Sequence, residues 1–249
     1  MHGLFPECQI GRSRIAALIN ECWVVFTPMT KKIISTRRLD NLPGPDKVQS
    51  ISQSIAMLDA IIEPTWDMRY YSFDAAWSEG AKAAFMQNGQ GDSYSIHFRD
   101  GGVIIIGDAH ESCMASTYVE SGKPWSGVID DVPEEYNDVL AEPAFLTPEA
   151  TFCIWWEKHT SCWKTGNISF PNSNDPDGSE DLLFMLDGNP STYQQWAEEY
   201  YGRSLSFKVI EQIYLHQPLT NYLIEELNPN RDSTSLVDDI NQIGYPAYR

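Results

Sequence analysis

Residues 94–106 read YSIHFRDGGVIII, and this stretch decides the fold class. Tyr94, Ile96 and Phe98 alternate with polar residues, a period of two that is typical of a β-strand with one polar face. The RDGG sequence that follows favours a tight turn, because glycine adopts a positive φ without steric cost. Residues 103–106 are all apolar, which indicates a central strand covered on both faces. The stretch therefore predicts an antiparallel hairpin.

Further strand patterns follow, and helical patterns lie on both sides of them. Phe152, Ile154 and Trp156 alternate with their neighbours, and short segments at 162–164 and 167–170 resemble strands of the same group. The βαβ alternation of parallel sheets is missing. The sequence therefore predicts an α+β fold, with a mainly antiparallel sheet in the middle of the chain and helices at both ends.

The helical patterns are read from apolar spacing and from capping residues. They predict helices over 51–62, 72–88, 132–140, 189–202, 207–215, from Thr220 onward and over 236–244. Residues 207–215 also contain β-branched residues, which favour a strand, and the helical spacing is given more weight. The apolar run Leu182–Leu186 is predicted to be a buried strand.

Charge divides the chain near residue 50. Residues 1–50 carry seven basic and four acidic side chains, whereas residues 51–249 carry 10 and 31. We expect a basic, poorly ordered N-terminal extension over 1–50 and a single acidic α+β domain over 51–249. The extension is either a functional basic arm or the product of an overlong reading frame with the native start near Met57. The second interpretation is preferred, because the segment lacks the pattern of a folded unit.

The composition argues against several classes of partner. Phosphate backbones and anionic membranes attract Lys and Arg. In residues 51–249, however, acidic residues outnumber Lys and Arg three to one. The sequence lacks the 18-residue apolar run of a membrane span, and its five cysteines include no C-x-x-C pair. We expect a cytoplasmic protein that binds no nucleic acid, membrane, cofactor or metal. A basic protein is the partner that the charge favours.

Five short segments together resemble a family of uncharacterised bacterial cytoplasmic proteins. The segments are RYYSF (69–73), DAHES (108–112), FCIW (152–155), DPDGS (175–179) and QWAEEYY (195–201). The resemblance covers residues 57–247, leaves residues 1–50 unmatched and implies a single-domain protein. It brings no activity that could be transferred to this chain.

One candidate site follows the buried strand of the hairpin. Asp108, His110 and Glu111 combine an imidazole with two carboxylates at a strand end, and such a set can bind a divalent metal or act in acid–base catalysis. Further acids would come from Asp130 and Asp131, or from the 175–177 loop. The competing interpretation is that these residues satisfy the backbone of a turn.

A second candidate site consists of possible partner anchors. Trp155 and Trp163 lie near each other on the second strand group, and an exposed tryptophan among acids is a plausible protein-binding anchor. Asp175 and Asp177 belong to a polar loop whose spacing does not match an EF-hand. A sheet covered on both faces and a solvated turn are the competing interpretations.

Catalytic signatures are missing from the sequence: it contains no G-x-S-x-G, H-E-x-x-H, Walker A or G-x-G-x-x-G motif. We therefore expect an acidic protein-binding module rather than an enzyme, for example an immunity-type protein that neutralises a basic partner. The alternative function is a small metal-assisted hydrolase that uses the Asp108/His110/Glu111 loop.

Overall fold

The computed structural model describes residues 32–100, 102–115 and 121–247. Its centre is a six-stranded antiparallel sheet in which each strand pairs with the next along the chain. The strands are β1 Tyr71–Ser78, β2 Ala81–Gln87, β3 Ser93–Arg99, β4 Gly102–Asp108, β5 Phe152–Glu157 and β6 Cys162–Lys164. The short segments at 152–156 and 162–164 thus extend the same sheet, whereas 167–170 is not a strand.

Helices precede and follow the sheet. They are α1 Pro45–Ile62, α2 Asn137–Leu140, α3 Ser179–Leu183, α4 Pro190–Tyr201, α5 Phe207–Tyr214, α6 Asn221–Leu227 and α7 Val237–Ile243. Short 3-10 helices lie at Leu39–Asn41, Trp66–Met68, Glu134–Tyr136, Pro143–Phe145, Thr147–Glu149 and Phe184–Asp187. The α+β class with helices at both ends is confirmed.

The predicted hairpin is confirmed as β3 and β4. Its register pairs Phe98 with Val103 and Ser93 with Asp108. Strand β4 lies between β3 and β5, and all of its side chains are buried. One face of the sheet packs in a core with α1 and the C-terminal helices, and the other face packs in a second core with Met114 and with residues between 128 and 150.

The capping residues of the C-terminal helices act as the sequence indicates. The Asn189 side chain accepts a hydrogen bond from the Ser191 amide, and the Thr220 side chain accepts one from the Leu223 amide. Gly202 and Gly244 end their helices in the left-handed conformation. The 207–215 pattern is a helix, α5, whose buried residues share one face.

The predicted helix over 72–88 is wrong, because this segment forms the β1–β2 hairpin. Gly80, which the helical pattern placed inside the helix, has φ of +70° and lies at the turn. Tyr71 and Phe73 alternate with less buried neighbours and pack in the core shared with α1. Pairing with β3 along the whole of β2 satisfies the backbone there, so tertiary contacts override a helical spacing.

The predicted strand Leu182–Leu186 is also wrong. The segment is helical, as the end of α3 and the Phe184–Asp187 3-10 helix. Leu183, Met185 and Leu186 are buried in the core, so the run is apolar because it is covered by other helices. A short apolar run has no periodicity that separates a buried strand from a buried helix.

A buried carboxylate joins the first helix to the sheet and to α4. Asp59 of α1 is fully buried and accepts hydrogen bonds from the amides of Tyr70 (3.0 Å) and Tyr71 (2.9 Å). The Tyr193 hydroxyl donates a third bond at 2.7 Å. Burial raises the pKa of Asp59 to about 6, although these hydrogen bonds act in the opposite direction.

This pKa shift predicts how stability changes with pH. Between the ordinary pKa of 3.8 and about 6, the folded protein holds a proton that the unfolded chain releases, so stability decreases as pH rises through this window. Across this window, ionisation of Asp59 lowers the free energy of unfolding by about 3 kcal/mol. Asp59→Asn keeps an acceptor for the two amides and can donate to Tyr193. We expect this variant to show a flatter dependence of the free energy of unfolding on pH, measured by urea denaturation; identical slopes would contradict the assignment.

The segment before α1 belongs to the folded body. Lys32–Arg249 forms one compact unit, and the predicted domain boundary at residue 50 falls inside α1. Ile34 and Leu42 are buried in the main core, because the chain before α1 packs against the sheet and the 175–179 loop. Residues 1–31 lie outside the described residues.

Substitution in this segment tests its role. Ile34 is 1% exposed, so Ile34→Ala removes buried methyl groups and leaves a cavity. We expect a loss of about 2–4 kcal/mol in the free energy of unfolding, measured by chemical denaturation. Arg38→Ala, at an exposed position four residues later, serves as the control and should change stability by less than about 0.5 kcal/mol. If both substitutions changed the free energy of unfolding equally, Ile34 would not belong to the part of the protein that unfolds cooperatively.

Candidate functional site

The three residues of the predicted strand-end site do not converge on one point. The Nδ1 atom of His110 lies 2.8 Å from a carboxylate oxygen of Asp92, in the β2–β3 connection, whereas its Nε2 lies 3.9 Å from Glu111. Asp108 is buried at the end of β4, and Glu111 is 88% exposed. The imidazole is thus held by Asp92, a residue that the sequence analysis did not select.

The local electrostatics follow from this arrangement. Burial, together with the charges of Glu149 and Asp92, raises the pKa of Asp108 to about 6. The hydrogen bond to Asp92 raises the pKa of His110. Gly91 allows the His110 ring to lie close to the β2–β3 connection, because a Cβ at position 91 would lie 2.9 Å from the imidazole.

The additional acids of the hydrolase alternative do not complete a metal site. Within residues 32–100, 102–115 and 121–247, no three His, Cys, Asp or Glu side chains lie close enough to hold a metal ion. Asp130 is exposed and accepts a hydrogen bond from the Gly127 amide at 2.9 Å, which stabilises a turn. Asp131 is exposed with φ of +66°. These two residues therefore fit the competing interpretation, that they belong to turns.

Asp175 and Asp177 organise their own loop. Asp177 is 1% exposed and accepts hydrogen bonds from the hydroxyls of Thr36 (2.5 Å) and Ser179 (2.7 Å). Its carbonyl accepts from the Thr151 hydroxyl at 2.7 Å. Asp175 accepts from the Asp181 amide at the start of α3. Asp177 therefore has no surface to offer a partner, and it joins the segment before α1 to the loop.

The two candidate tryptophan anchors are buried. Trp155 is 4% exposed in the core on the second face of the sheet. Trp163 is 6% exposed, and its indole N–H donates to the Pro43 carbonyl at 2.8 Å. Neither ring is available as a surface anchor, and the competing interpretation, a sheet covered on both faces, describes what the structure shows.

A groove that the sequence analysis did not predict lies beside the edge strand β1. Its volume is about 420 Å³, within the range of ligand-binding clefts. Trp66, 56% exposed, lines the groove together with Trp77 and Phe85. The Trp77 ring packs against Phe85 (5.2 Å between centroids) and Phe145 (5.7 Å), which fixes this part of the lining. We call this feature the β1 groove.

The unpaired charge in the β1 groove is negative. Asp67 and Asp74 line it, and neither has an ion-pair partner among the described residues. The groove also contains Arg69, but this guanidinium is 7% exposed and is bonded to Asp239 at 2.5 and 3.1 Å. Arg231 contacts the same carboxylate at 3.1 Å. The cation is therefore committed within the fold. Asp67 is exposed, whereas the half-buried Asp74 accepts hydrogen bonds from the Ala76 amide at 2.8 Å and the Gln242 side chain at 3.5 Å, so neither carboxylate is paired with a cation of the described residues.

The sequence holds only a weak signal for this groove. Trp66 and Asp67 follow shortly after Pro64, so the sequence indicates a turn that carries an aromatic and an acidic side chain. The opposite lining comes from β2, from Ala144 and from Gln242 of α7, which are distant along the chain. Only the folded topology brings these segments together.

Comparison with protein-family models, curated proteins and solved structures finds no match for this chain. The resemblance to a bacterial family therefore stays a prediction. Among the described residues, no helix has the length and apolar character needed to cross a membrane.

The His110 environment can be tested by titration. We expect Asp92→Asn to lower the pKa of His110, because it removes the largest contribution that raises it. Glu111→Gln should have a smaller effect, since that carboxylate is exposed and lies 3.9 Å from Nε2. NMR titration of the His110 ring protons measures both variants. An unchanged pKa in Asp92→Asn would show that the 2.8 Å contact does not persist in solution.

Proposed function

We propose that this protein is a non-enzymatic, acidic binding module whose β1 groove takes a basic segment of another protein. The observation that supports this most directly is the combination of an exposed Trp66 with the carboxylates of Asp67 and Asp74 in one groove. Lysine and arginine side chains join an aliphatic stem to a cationic head. They can therefore pack on aromatic rings and pair with carboxylates at the same time.

The charge of the whole chain supports the same proposal. The formal net charge is −18, and such a field accelerates encounters with basic proteins. Glu142 is half-buried, and its side chain accepts a hydrogen bond from the amide of Ala144, a groove residue, at 3.2 Å, so it adds a carboxylate near the rim. An immunity-type protein that neutralises a basic toxin in a bacterial cytoplasm is the concrete form that we favour.

A synthetic peptide tests the groove without knowledge of the natural partner. We expect the blocked peptide LKLKLKLK to bind and to shift the amide and indole NMR signals of Trp66 and Trp77, whereas LELELELE should not bind. The affinity should decrease as salt concentration rises, because part of the attraction is electrostatic.

Matched variants separate the groove from the overall charge. Asp67→Asn/Asp74→Asn should weaken binding about tenfold, since it removes two ion pairs. Glu225→Gln/Glu226→Gln changes the net charge equally at exposed positions of α6 outside the groove, and it should weaken binding less than about twofold. Trp66→Ala should also weaken binding. If both double variants weakened binding equally, attraction would be nonspecific and the groove would not be the site.

A further inference from the structure

A second cavity contains a concentration of basic side chains that is unusual for this chain. It has a volume of about 460 Å³ and lies where β2 and β4 begin and β5 ends. Lys82, Arg99 and Lys158 line it. Residues 51–249 carry only 10 basic side chains, so three of them line one cavity. We call this feature the turn-end cavity.

Two of these cations have no carboxylate partner. The Lys82 ammonium makes no ion pair or hydrogen bond with the described residues, and the Lys158 ammonium donates to the Asp100 carbonyl. Arg99 is paired with Asp138 at 2.9 Å through Nη1, but its buried Nη2 has no hydrogen-bond partner. The cavity therefore offers two ammonium groups, whereas the Arg99 guanidinium lies over the Tyr136 ring and is paired with Asp138.

The remaining lining is aromatic and includes the start of a long helix. Phe98 and Trp156 contribute rings, and Trp156 is held edge-on against Trp163 with 5.2 Å between centroids. Pro45 and Asp46 are the first residues of the 18-residue helix α1, whose N-terminus carries a partial positive charge. Asp46 and Asp100 also line the cavity and equal Lys82 and Lys158 in number, so attraction for an anion depends on the ammonium groups being unpaired rather than on a net positive charge.

We propose that the turn-end cavity binds a small phosphate monoester that carries a planar ring. The phosphate is held by Lys82 and Lys158, and the ring packs on Trp156. Two ammonium groups without carboxylate partners favour a doubly charged anion over a singly charged one. The volume suits a ligand of this size, and the aromatic lining supplies the apolar contact that a bare phosphate cannot use.

Three probes applied to the full chain separate these contributions. Phenyl phosphate carries both groups, inorganic phosphate lacks the ring and phenol lacks the charge. By isothermal titration calorimetry, we expect phenyl phosphate to bind at least about tenfold more tightly than either of the others. It should also shift the indole N–H signal of Trp156. Failure of phenyl phosphate to bind at millimolar concentrations would overturn the proposal, as would equal binding of phenol.

Charge variants locate the site. Lys82→Gln and Lys158→Gln should each weaken phenyl phosphate binding about fivefold, and Asp46→Asn should tighten it about threefold. Lys208→Gln removes an exposed lysine of α5 outside the cavity and should leave binding unchanged. Lys158 is exposed, so its substitution tests the site even if the Lys82 variant does not fold. An equal loss in Lys208→Gln, or weaker binding in Asp46→Asn, would refute the assignment.

Discussion

The buried carboxylate of Asp59 is the constraint on which the rest of the structure depends. A carboxylate without water is costly unless donors surround it, and here all three come from other elements: two amides at the start of β1 and a hydroxyl from α4. The amides belong to residues 11 and 12 positions further along the chain. The chain must therefore turn back directly after α1, which places β1 against that helix.

This return also explains the β1 groove. Between the end of α1 and the start of β1, only residues 63–70 are available, and the Trp66–Met68 3-10 helix makes the connection. Such a short connection, fixed at its end by the amides bonded to Asp59, buries Arg69 but leaves the side chains of its 3-10 helix outside the core. Trp66 and Met68 consequently remain 56% and 59% exposed. The exposure of these two apolar side chains therefore follows from the hydrogen bonds between Asp59 and the start of β1. It places the Trp66 ring beside the carboxylates of Asp67 and Asp74.

The sequence predicted those parts of the fold that local chemistry determines. The β3–β4 hairpin, the Asn189 and Thr220 caps and the glycine ends of α4 and α7 all depend on neighbours within a few residues. Local spacing failed at 72–88, where pairing with β3 decides the outcome, and at 182–186, where the covering helices do.

For the candidate sites, local sequence patterns predicted even less than they did for the fold. Asp177 was selected as a polar loop residue, but its role depends on Thr36, 141 positions away. Trp155 and Trp163 were selected as possible exposed partner anchors, yet their burial depends on what covers each face of the sheet. Each groove or cavity is lined by segments from several parts of the chain, so neither has a sequence motif.

The two proposed sites can have opposite charge preferences on one acidic body because electrostatic attraction between exposed charges is short-ranged. At physiological ionic strength the screening length is about 8 Å, so a ligand responds to the side chains lining its site more than to the total charge. Arg69 and Arg231 share Asp239, which removes both cations from the surroundings of the β1 groove. Lys82 and Lys158 have instead no carboxylate partner among the residues that the structure describes. The pairing of the few cations, rather than the surplus of acids, therefore decides which sign of charge each site attracts.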